Sequence, residues 1–135
     1  MTMLTNELMA VAFTAMFTGI LWIPIIVNRL REMGIWRALT NPEPDTRPAA
    51  QWAYRLACAH RNAIENLVVF APLAIVVHVL AIGDSLTDQM CIVFVVSRVS
   101  HAVIYTAGVP LLRTIAFFLG FVAESIFALR IFGVL

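Results

Sequence analysis

Charged side chains are scarce in this sequence. They make up 13% of its 135 residues, lysine is absent, and hydrophobic residues make up 61%. The mean hydropathy of +0.91 lies far outside the range of soluble domains and is typical of polytopic membrane proteins. The composition therefore predicts an integral membrane protein, with a single domain over residues 1–135.

Other missing sequence patterns exclude several kinds of functional site. The two cysteines, Cys58 and Cys91, fall at opposite ends of predicted helices and are too far apart to form a disulfide. The three histidines show no metal-binding spacing: His60, His78 and His101. No glycine-rich phosphate loop, nucleophile elbow or internal repeat is present. The arginines are mixed with acids and the net charge is only +1, so nothing supports nucleic-acid binding.

Four apolar segments are long enough to cross a hydrocarbon core of about 30 Å. They span residues 8–28, 66–83, 89–109 and 114–134, and a polar helical turn extends the second one backwards. We expect each to form a transmembrane helix, so the predicted fold is an all-α, integral membrane four-helix bundle. The first segment differs from a signal peptide, because Glu7 stands where a basic residue is expected and the apolar run is too long.

The connection between the first two helices, residues 31–50, is the only sizeable region predicted outside the membrane. Its stretch 41–48 is proline-rich and predicted to be non-helical, and the second helix is expected to begin near Pro48. Six of the nine arginines lie in this connection or at its edges: Arg29, Arg31, Arg37, Arg47, Arg55 and Arg61. The charged residues of the turn at 83–88 are all acidic. The positive-inside rule therefore predicts that the first and third connections are cytoplasmic. We expect a multi-pass protein of a bacterial inner membrane or an equivalent membrane.

Polar residues recur on one face of the second helix near the membrane boundary. Arg55, Asn62 and Glu65 follow helical spacing and lead into the apolar run 67–80. Because polar groups are costly inside a bilayer, this line of side chains is expected to bind a ligand. A plainer interpretation is that Asn62 and Glu65 form a polar contact between helices.

Three groups of residues resemble the motifs of one family. They are Arg55-x6-Asn62-x2-Glu65, Arg98-x2-His101-x3-Tyr105, and Arg113-Thr114 at the predicted start of the fourth helix. In this order and on one predicted side of the membrane, they resemble the MAPEG family, the membrane-associated proteins of eicosanoid and glutathione metabolism. The resemblance covers nearly the whole chain, and its details are most similar to the microsomal prostaglandin E synthase branch.

The resemblance implies a homotrimer that binds glutathione as a cosubstrate between neighbouring subunits and attacks lipophilic electrophiles or peroxides. The positions that match the family's glutathione contacts are Arg29, Arg55, Arg61, Asn62, Glu65, His101, Tyr105, Arg113 and Thr114. Of these, the resemblance assigns Arg113 and Thr114 to thiolate stabilisation and the others to glutathione binding. Two positions depart from the family pattern: Cys58 replaces a common arginine, and Tyr54 replaces a common glutamate.

These residue types suit glutathione chemically. Guanidinium groups bind carboxylates in a bidentate manner, and Glu65 can accept the ammonium group. A thiol with a pKa of roughly 8.5 is mostly protonated at pH 7, so a catalyst needs a cation and a hydroxyl donor at the sulfur. Arg113 and Thr114 offer both, and a helix start would add its dipole. The lipophilic substrate would arrive sideways from the bilayer.

Two further pairs have alternative interpretations. His101 and Tyr105, four residues apart, are expected either to contact the ligand or to pack inside the bundle. Counting from the cytoplasmic helix ends places Arg98 and Glu124 at about one depth, which predicts an ion pair between them. The alternative is that either side chain faces a wet cavity.

Two functions remain open at this point. The first is a glutathione-dependent transferase or peroxidase, which Arg113, Thr114 and Glu65 favour. The second is a non-catalytic membrane scaffold or accessory subunit that retains the family's fold, which Cys58 favours. A transporter is a third possibility, but four helices without a broken pair give it little support.

Cysteine labelling tests the predicted topology. A single cysteine near Pro44 should react only with reagent on the cytoplasmic side, and one near Ser85 only with reagent outside, because the arginines concentrate around the first connection. Labelling of both positions from the cytoplasm would contradict a four-helix topology.

Overall fold

The structure describes residues 4–43 and 46–135, and the regular elements in these ranges are helices. Over these ranges the computed structural model has α1 (Asn6–Ile20), α2 (Trp22–Met33), α3 (Ile35–Leu39), α4 (Gln51–Val79), α5 (Ser85–Ala107) and α6 (Pro110–Ile131). Four segments are long and apolar enough to span a membrane: Asn6–Met33, Gln51–Val79, Ser85–Ala107 and Pro110–Ile131. The predicted four-helix, all-α membrane bundle is confirmed. Pro44 and Asp45, part of the stretch predicted to be non-helical, lie outside the described residues.

Proline interrupts the first membrane span. Pro24 has no amide hydrogen to donate to the carbonyl of Ile20, and its ring crowds that carbonyl. Consequently α1 ends at Ile20, and α2 begins at Trp22. Leu21, between them, keeps right-handed helical geometry with φ −60° and ψ −24°, so the backbone stays close to helical across the break.

A capping box starts α5 earlier than hydropathy predicted, at Ser85 rather than at residue 89. One carboxylate oxygen of Asp84 accepts hydrogen bonds from the N–H groups of Leu86 and Thr87, both at 3.0 Å. The Thr87 hydroxyl in turn accepts from the Asp84 N–H at 2.8 Å. This reciprocal pattern satisfies amide groups that the first turn of a helix leaves unpaired.

The fourth membrane span also begins earlier than predicted, at Pro110 rather than Thr114. Proline suits the first helical position because its fixed φ is already helical and its missing N–H would have no partner there. The prediction for α4 was closer, since that helix begins at Gln51, just after Pro48. The shift in α6 matters most, because it moves every later residue of that helix one turn deeper than expected.

Aromatic rings and small residues build the middle of the bundle. Phe70 of α4 stacks on Phe94 of α5 with ring centroids 3.8 Å apart, and Phe127 of α6 meets Phe70 edge-on at 5.3 Å. Alanines on the buried face of α4 let the neighbouring helices approach closely: Ala53, Ala59, Ala63 and Ala74. Because lipid is as apolar as these side chains, close packing holds the helices together in a bilayer.

The two ends of the bundle differ in charge. At the acidic end, where α1 starts, α4 turns into α5 and α6 finishes, Arg130 forms an ion pair with Asp84 at 2.9 Å. At the arginine end, α4 starts beside the α5–α6 turn, and Arg55 donates a hydrogen bond to the Thr106 carbonyl at 2.9 Å. The first and third connections therefore share one side of the bundle, as the topology prediction requires.

The Asp84 cap predicts a pH-dependent stability. The Thr87 backbone hydrogen bond, aided by Arg130, lowers the pKa of Asp84 below its usual value. Its stabilising contribution is therefore present above the unfolded pKa of about 4 and is lost as pH falls through the lower folded value. Asp84→Asn should unfold at a lower temperature than wild type at pH 7 but converge with it in strong acid, measured in one detergent.

Ser85→Ala is the matched control, because Ser85 is exposed and neighbours the cap without taking part in it. Its melting temperature should follow that of wild type at every pH. A constant offset between Asp84→Asn and wild type across the whole pH range would contradict the assignment.

Candidate functional site

The arginine end joins α4 to the α5–α6 turn through one guanidinium. Besides its bond to Thr106, Arg55 donates to the side chain of Gln51 at 3.4 Å. Gly108 ends α5 in the left-handed region, with φ +84°, and a Cβ there would lie 3.1 Å from the Arg55 guanidinium carbon. Both the backbone conformation and the close approach therefore favour glycine at this position.

Three of the predicted site residues meet between α5 and α6. The guanidinium of Arg113 lies over the ring of Tyr105, with its central carbon 4.4 Å from the ring centroid. The ring of His101 meets Tyr105 edge-on at 5.5 Å and lies 6.3 Å from Phe117. His101 is buried, whereas Tyr105 and Arg113 are half-buried, so this cluster leads from the bundle interior toward its surface.

Arg98 lies deeper than this cluster and is only 1% exposed. Its guanidinium donates to the α6 carbonyls of Ala116 and Phe117, both at 3.2 Å, and to the Asn62 side-chain oxygen at 3.4 Å. Its Nε donates to the Ser97 hydroxyl at 3.3 Å. Arg98 therefore connects α4, α5 and α6, and it orients the amide of one predicted glutathione-binding residue.

The predicted ion pair between Arg98 and Glu124 is wrong. No guanidinium nitrogen of Arg98 lies within 4.0 Å of a Glu124 carboxylate oxygen, and Glu124 is buried with an oxygen that has no hydrogen-bond partner among the described residues. The reason is the helix boundary: Arg98 lies nine residues before the end of α5, but Glu124 lies fourteen residues after Pro110. At 1.5 Å per residue the two differ in depth by about 7 Å.

The expected position of Arg113 and Thr114 at a helix start also needs correction. They are the fourth and fifth residues of α6, because the helix begins at Pro110. The Thr114 hydroxyl donates to the Pro110 carbonyl at 3.1 Å, a bond back along the helix. The helix dipole acts mainly within the first turn, so it contributes less at these side chains than the sequence suggested.

Four other predicted residues lie apart from this cluster. Arg61 and Glu65 are exposed on α4, and Thr114 is exposed on α6. Arg29 of α2 is half-buried, its Nε has no partner among the described residues, and it lines a pocket of about 310 Å³ with Arg37 and Arg47. That pocket carries three guanidinium groups and one carboxylate, that of Glu43, so its lining is net positive and suits a carboxylate ligand.

Phe117 is a site residue that the sequence reasoning missed. Besides neighbouring His101, its ring faces the Arg98 guanidinium carbon at 5.6 Å, and its carbonyl accepts a hydrogen bond from Arg98. The available signal was its spacing, because Phe117 follows Arg113 by one helical turn and so shares its face. In a strongly apolar segment, such spacing alone does not separate a site residue from a packing residue.

Comparison with models of known protein families identifies a match. The model of the MAPEG family matches residues 8–133, nearly the full length of the chain. The match includes every predicted site residue and all of the four membrane segments except the first two residues of Asn6–Met33. A search of curated proteins finds no match.

A substitution at Gly120 tests whether close packing confines the Arg98 guanidinium. A Cβ added there would lie 2.8 Å from the guanidinium carbon and 2.9 Å from the Ser97 hydroxyl oxygen, so Arg98 would have to leave its carbonyl partners. Gly120→Ala should therefore destabilise the solubilised protein by about 1–3 kcal/mol, measured by thermal unfolding in detergent.

Gly19→Ala is the control, since Gly19 also lies in a helix but a Cβ added to it would meet nothing within 4 Å. It should leave stability unchanged or slightly higher. Equal stability of the two variants would show that the close contact around Gly120 does not constrain Arg98.

Proposed function

Because the chain belongs to the MAPEG family, we propose that it is a glutathione-dependent membrane transferase or peroxidase acting on lipophilic electrophiles. The observation that carries this proposal is the state of Arg113. Its guanidinium is half-buried against Tyr105 and has no carboxylate partner among the described residues. A partly desolvated cation without a counter-ion is suited to bind an anion.

The proposed anion at Arg113 is the thiolate of glutathione. A cation beside the sulfur lowers the thiol pKa and raises the fraction of the nucleophilic form at neutral pH. Thr114 can add a hydrogen bond only if its hydroxyl proton leaves the Pro110 carbonyl. Arg113 therefore supplies most of the stabilisation, and Thr114 has a secondary role.

The peptide part of glutathione would be held by the other predicted residues: Arg29, Arg55, Arg61, Asn62, Glu65, His101 and Tyr105. Asn62 is already oriented by Arg98, Tyr105 adjoins Arg113, and His101 adjoins Tyr105. The arginines would bind the two carboxylates, and Glu65 would accept the ammonium. Preorganised polar groups of this kind cost little rearrangement when the ligand binds.

The position of Glu65 supports an oligomer. Glu65 is exposed, and it lies fourteen residues from each end of α4, so it falls at the midpoint of that helix. A helix of 29 residues is about 43 Å long, so a hydrocarbon core of about 30 Å leaves part of it outside, and the apolar run 67–80 places Glu65 at the edge of the core. A carboxylate facing lipid at that depth is unfavourable. We therefore propose that a neighbouring subunit covers this face in a homotrimer, completing the site with bound glutathione.

A second candidate is a non-catalytic membrane scaffold or accessory subunit. The observation that favours it is Cys58, half-buried on α4, in place of an arginine that the family commonly has. One guanidinium fewer leaves a carboxylate of glutathione with less compensation, which weakens binding. Glutathione binding and turnover distinguish the two candidates.

Arg113→Leu and Glu65→Gln separate the proposed roles. Arg113→Leu should raise the pKa of bound glutathione and lower turnover of a chlorodinitrobenzene about a hundredfold, equivalent to ~3 kcal/mol, with a smaller change in binding. Glu65→Gln should mainly weaken binding, because its proposed partner is the ammonium, far from the sulfur. The measurements are the ultraviolet difference signal of the thiolate and steady-state kinetics.

The scaffold interpretation makes the opposite prediction for wild-type protein. It predicts neither glutathione binding at millimolar concentration nor a thiolate signal. In that case Cys58→Arg is the informative variant, since restoring the missing guanidinium should restore binding if its loss is the cause.

A further inference from the structure

The acidic end contains a pocket of about 550 Å³ that lies opposite the proposed glutathione site. The start of α1, the end of α4 and the α4–α5 turn form its walls. Four titratable side chains line it: Glu7, His78, Asp84 and Asp88. Arginine is not among the residues that line it.

The carboxylates of this pocket differ in how they are neutralised. Asp84 is paired with Arg130 and caps α5. Asp88 accepts a hydrogen bond of 2.7 Å from the side chain of Asn6, a neutral donor that leaves its charge in place. His78 shares a hydrogen bond of 3.1 Å with the Thr5 hydroxyl.

Glu7 is the unusual member of this group. It is only 5% exposed, it lines the pocket beside Gly83, and it has no hydrogen bond or ion pair with the residues that the structure describes. A largely buried carboxylate is costly unless donors reach it, and Glu7 has no partner among the described residues, so its surroundings favour a ligand that brings hydrogen-bond donors and positive charge. Among the described residues, no cation lies within ion-pair distance of Glu7 or Asp88.

The chemistry of the pocket points to an ammonium group rather than a metal ion. Among the described residues, no group of three or more His, Cys, Asp or Glu side chains is arranged to hold a metal. An ammonium has no need of a closed shell of ligands, because its N–H donors bind one or two carboxylates and water. A pocket of this volume also exceeds the space that a bare ion needs.

An apolar groove of about 350 Å³ borders this pocket on the side of the membrane region. Its walls are exposed side chains of α1 and α5, and its floor holds Ala10 and Cys91, which are buried. Asn6 and Asp88 line both the pocket and the groove, so the two spaces adjoin. Along α1 the groove runs from Asn6 to Phe13, which is about 10 Å.

We propose that the acidic end binds an amphiphile with a primary ammonium headgroup, with Glu7 and Asp88 holding the ammonium and the groove between α1 and α5 holding an aliphatic chain. Two sources share this chemistry: a membrane lipid with an ethanolamine headgroup, and a free long-chain amine. The site is independent of the proposed glutathione site, which lies at the other end and requires an anion.

Native mass spectrometry of the full-length protein tests this proposal. Purified protein is equilibrated with equal amounts of phosphatidylethanolamine and phosphatidylglycerol that carry identical chains. Wild type should retain the ethanolamine lipid about tenfold better, the effect of roughly one charge-assisted hydrogen bond. Glu7→Gln, which keeps the side-chain shape, should lose this preference, and Asp88→Asn should reduce it.

Glu43→Gln is the control, because it removes the same charge from an exposed position in the first connection. It should bind as wild type does. A second arm adds dodecylamine, dodecanol or butylamine, and only the long-chain amine should bind in a Glu7-dependent manner. Ethanolamine-lipid preference identifies a membrane lipid as the ligand, and dodecylamine binding without that preference identifies a free amine. Equal retention of both lipids with no selective amine binding, or wild-type behaviour of both Glu7→Gln and Asp88→Asn, would overturn the proposal.

Discussion

A single buried guanidinium constrains the three long helices of this bundle. Arg98 has no carboxylate within ion-pair distance among the described residues, so backbone carbonyls of α6, the Asn62 amide and the Ser97 hydroxyl must satisfy its donors. Within a bilayer no bulk water is available to replace these partners, and each lost hydrogen bond is costly. The positions of α4 and α6 relative to α5 therefore depend on keeping this one side chain satisfied. Gly120 has no side chain, and the space that this leaves accommodates the Arg98 guanidinium.

The proposed catalytic cluster depends on the same constraint. His101 lies one helical turn from Arg98 toward the arginine end, and Tyr105 lies one further turn along. Phe117 touches both layers, because its ring neighbours His101 and its carbonyl accepts from Arg98. A shift of α6 along α5 would break the carbonyl contacts of Arg98 and separate Arg113 from Tyr105 together. The structural guanidinium thus sets the geometry of the one proposed to act on the thiol.

The sequence predicted the architecture better than it predicted contacts. Hydropathy located the four spans, and the distribution of arginines located the arginine-rich side of the bundle. Both signals depend on the composition of long segments. Helix starts were harder to predict. The Asp84 cap and Pro110 act through local backbone geometry and hydrogen bonding, which hydropathy does not describe. The Arg98–Glu124 error followed directly from the start of α6. Whether a charged side chain meets a carboxylate or a carbonyl is decided by a few ångströms of depth, which one turn of helix exceeds.

The uneven capping of the helices concentrates positive potential at the arginine end. The start of α5 carries Asp84, whose charge and hydrogen bonds neutralise the partial positive charge of that helix end. The start of α6 follows Val109, has no side-chain cap, and carries Arg113 in its second turn, a charge of the same sign as the dipole. The free amide groups of the first turn and the Arg113 guanidinium, which has no carboxylate partner among the described residues, each favour an anion, and the dipole is the weaker of the two at the Arg113 side chain. Binding of an anionic cosubstrate at the proposed glutathione site would therefore be driven mainly by the charge of Arg113, with a smaller contribution from the uncapped start of α6.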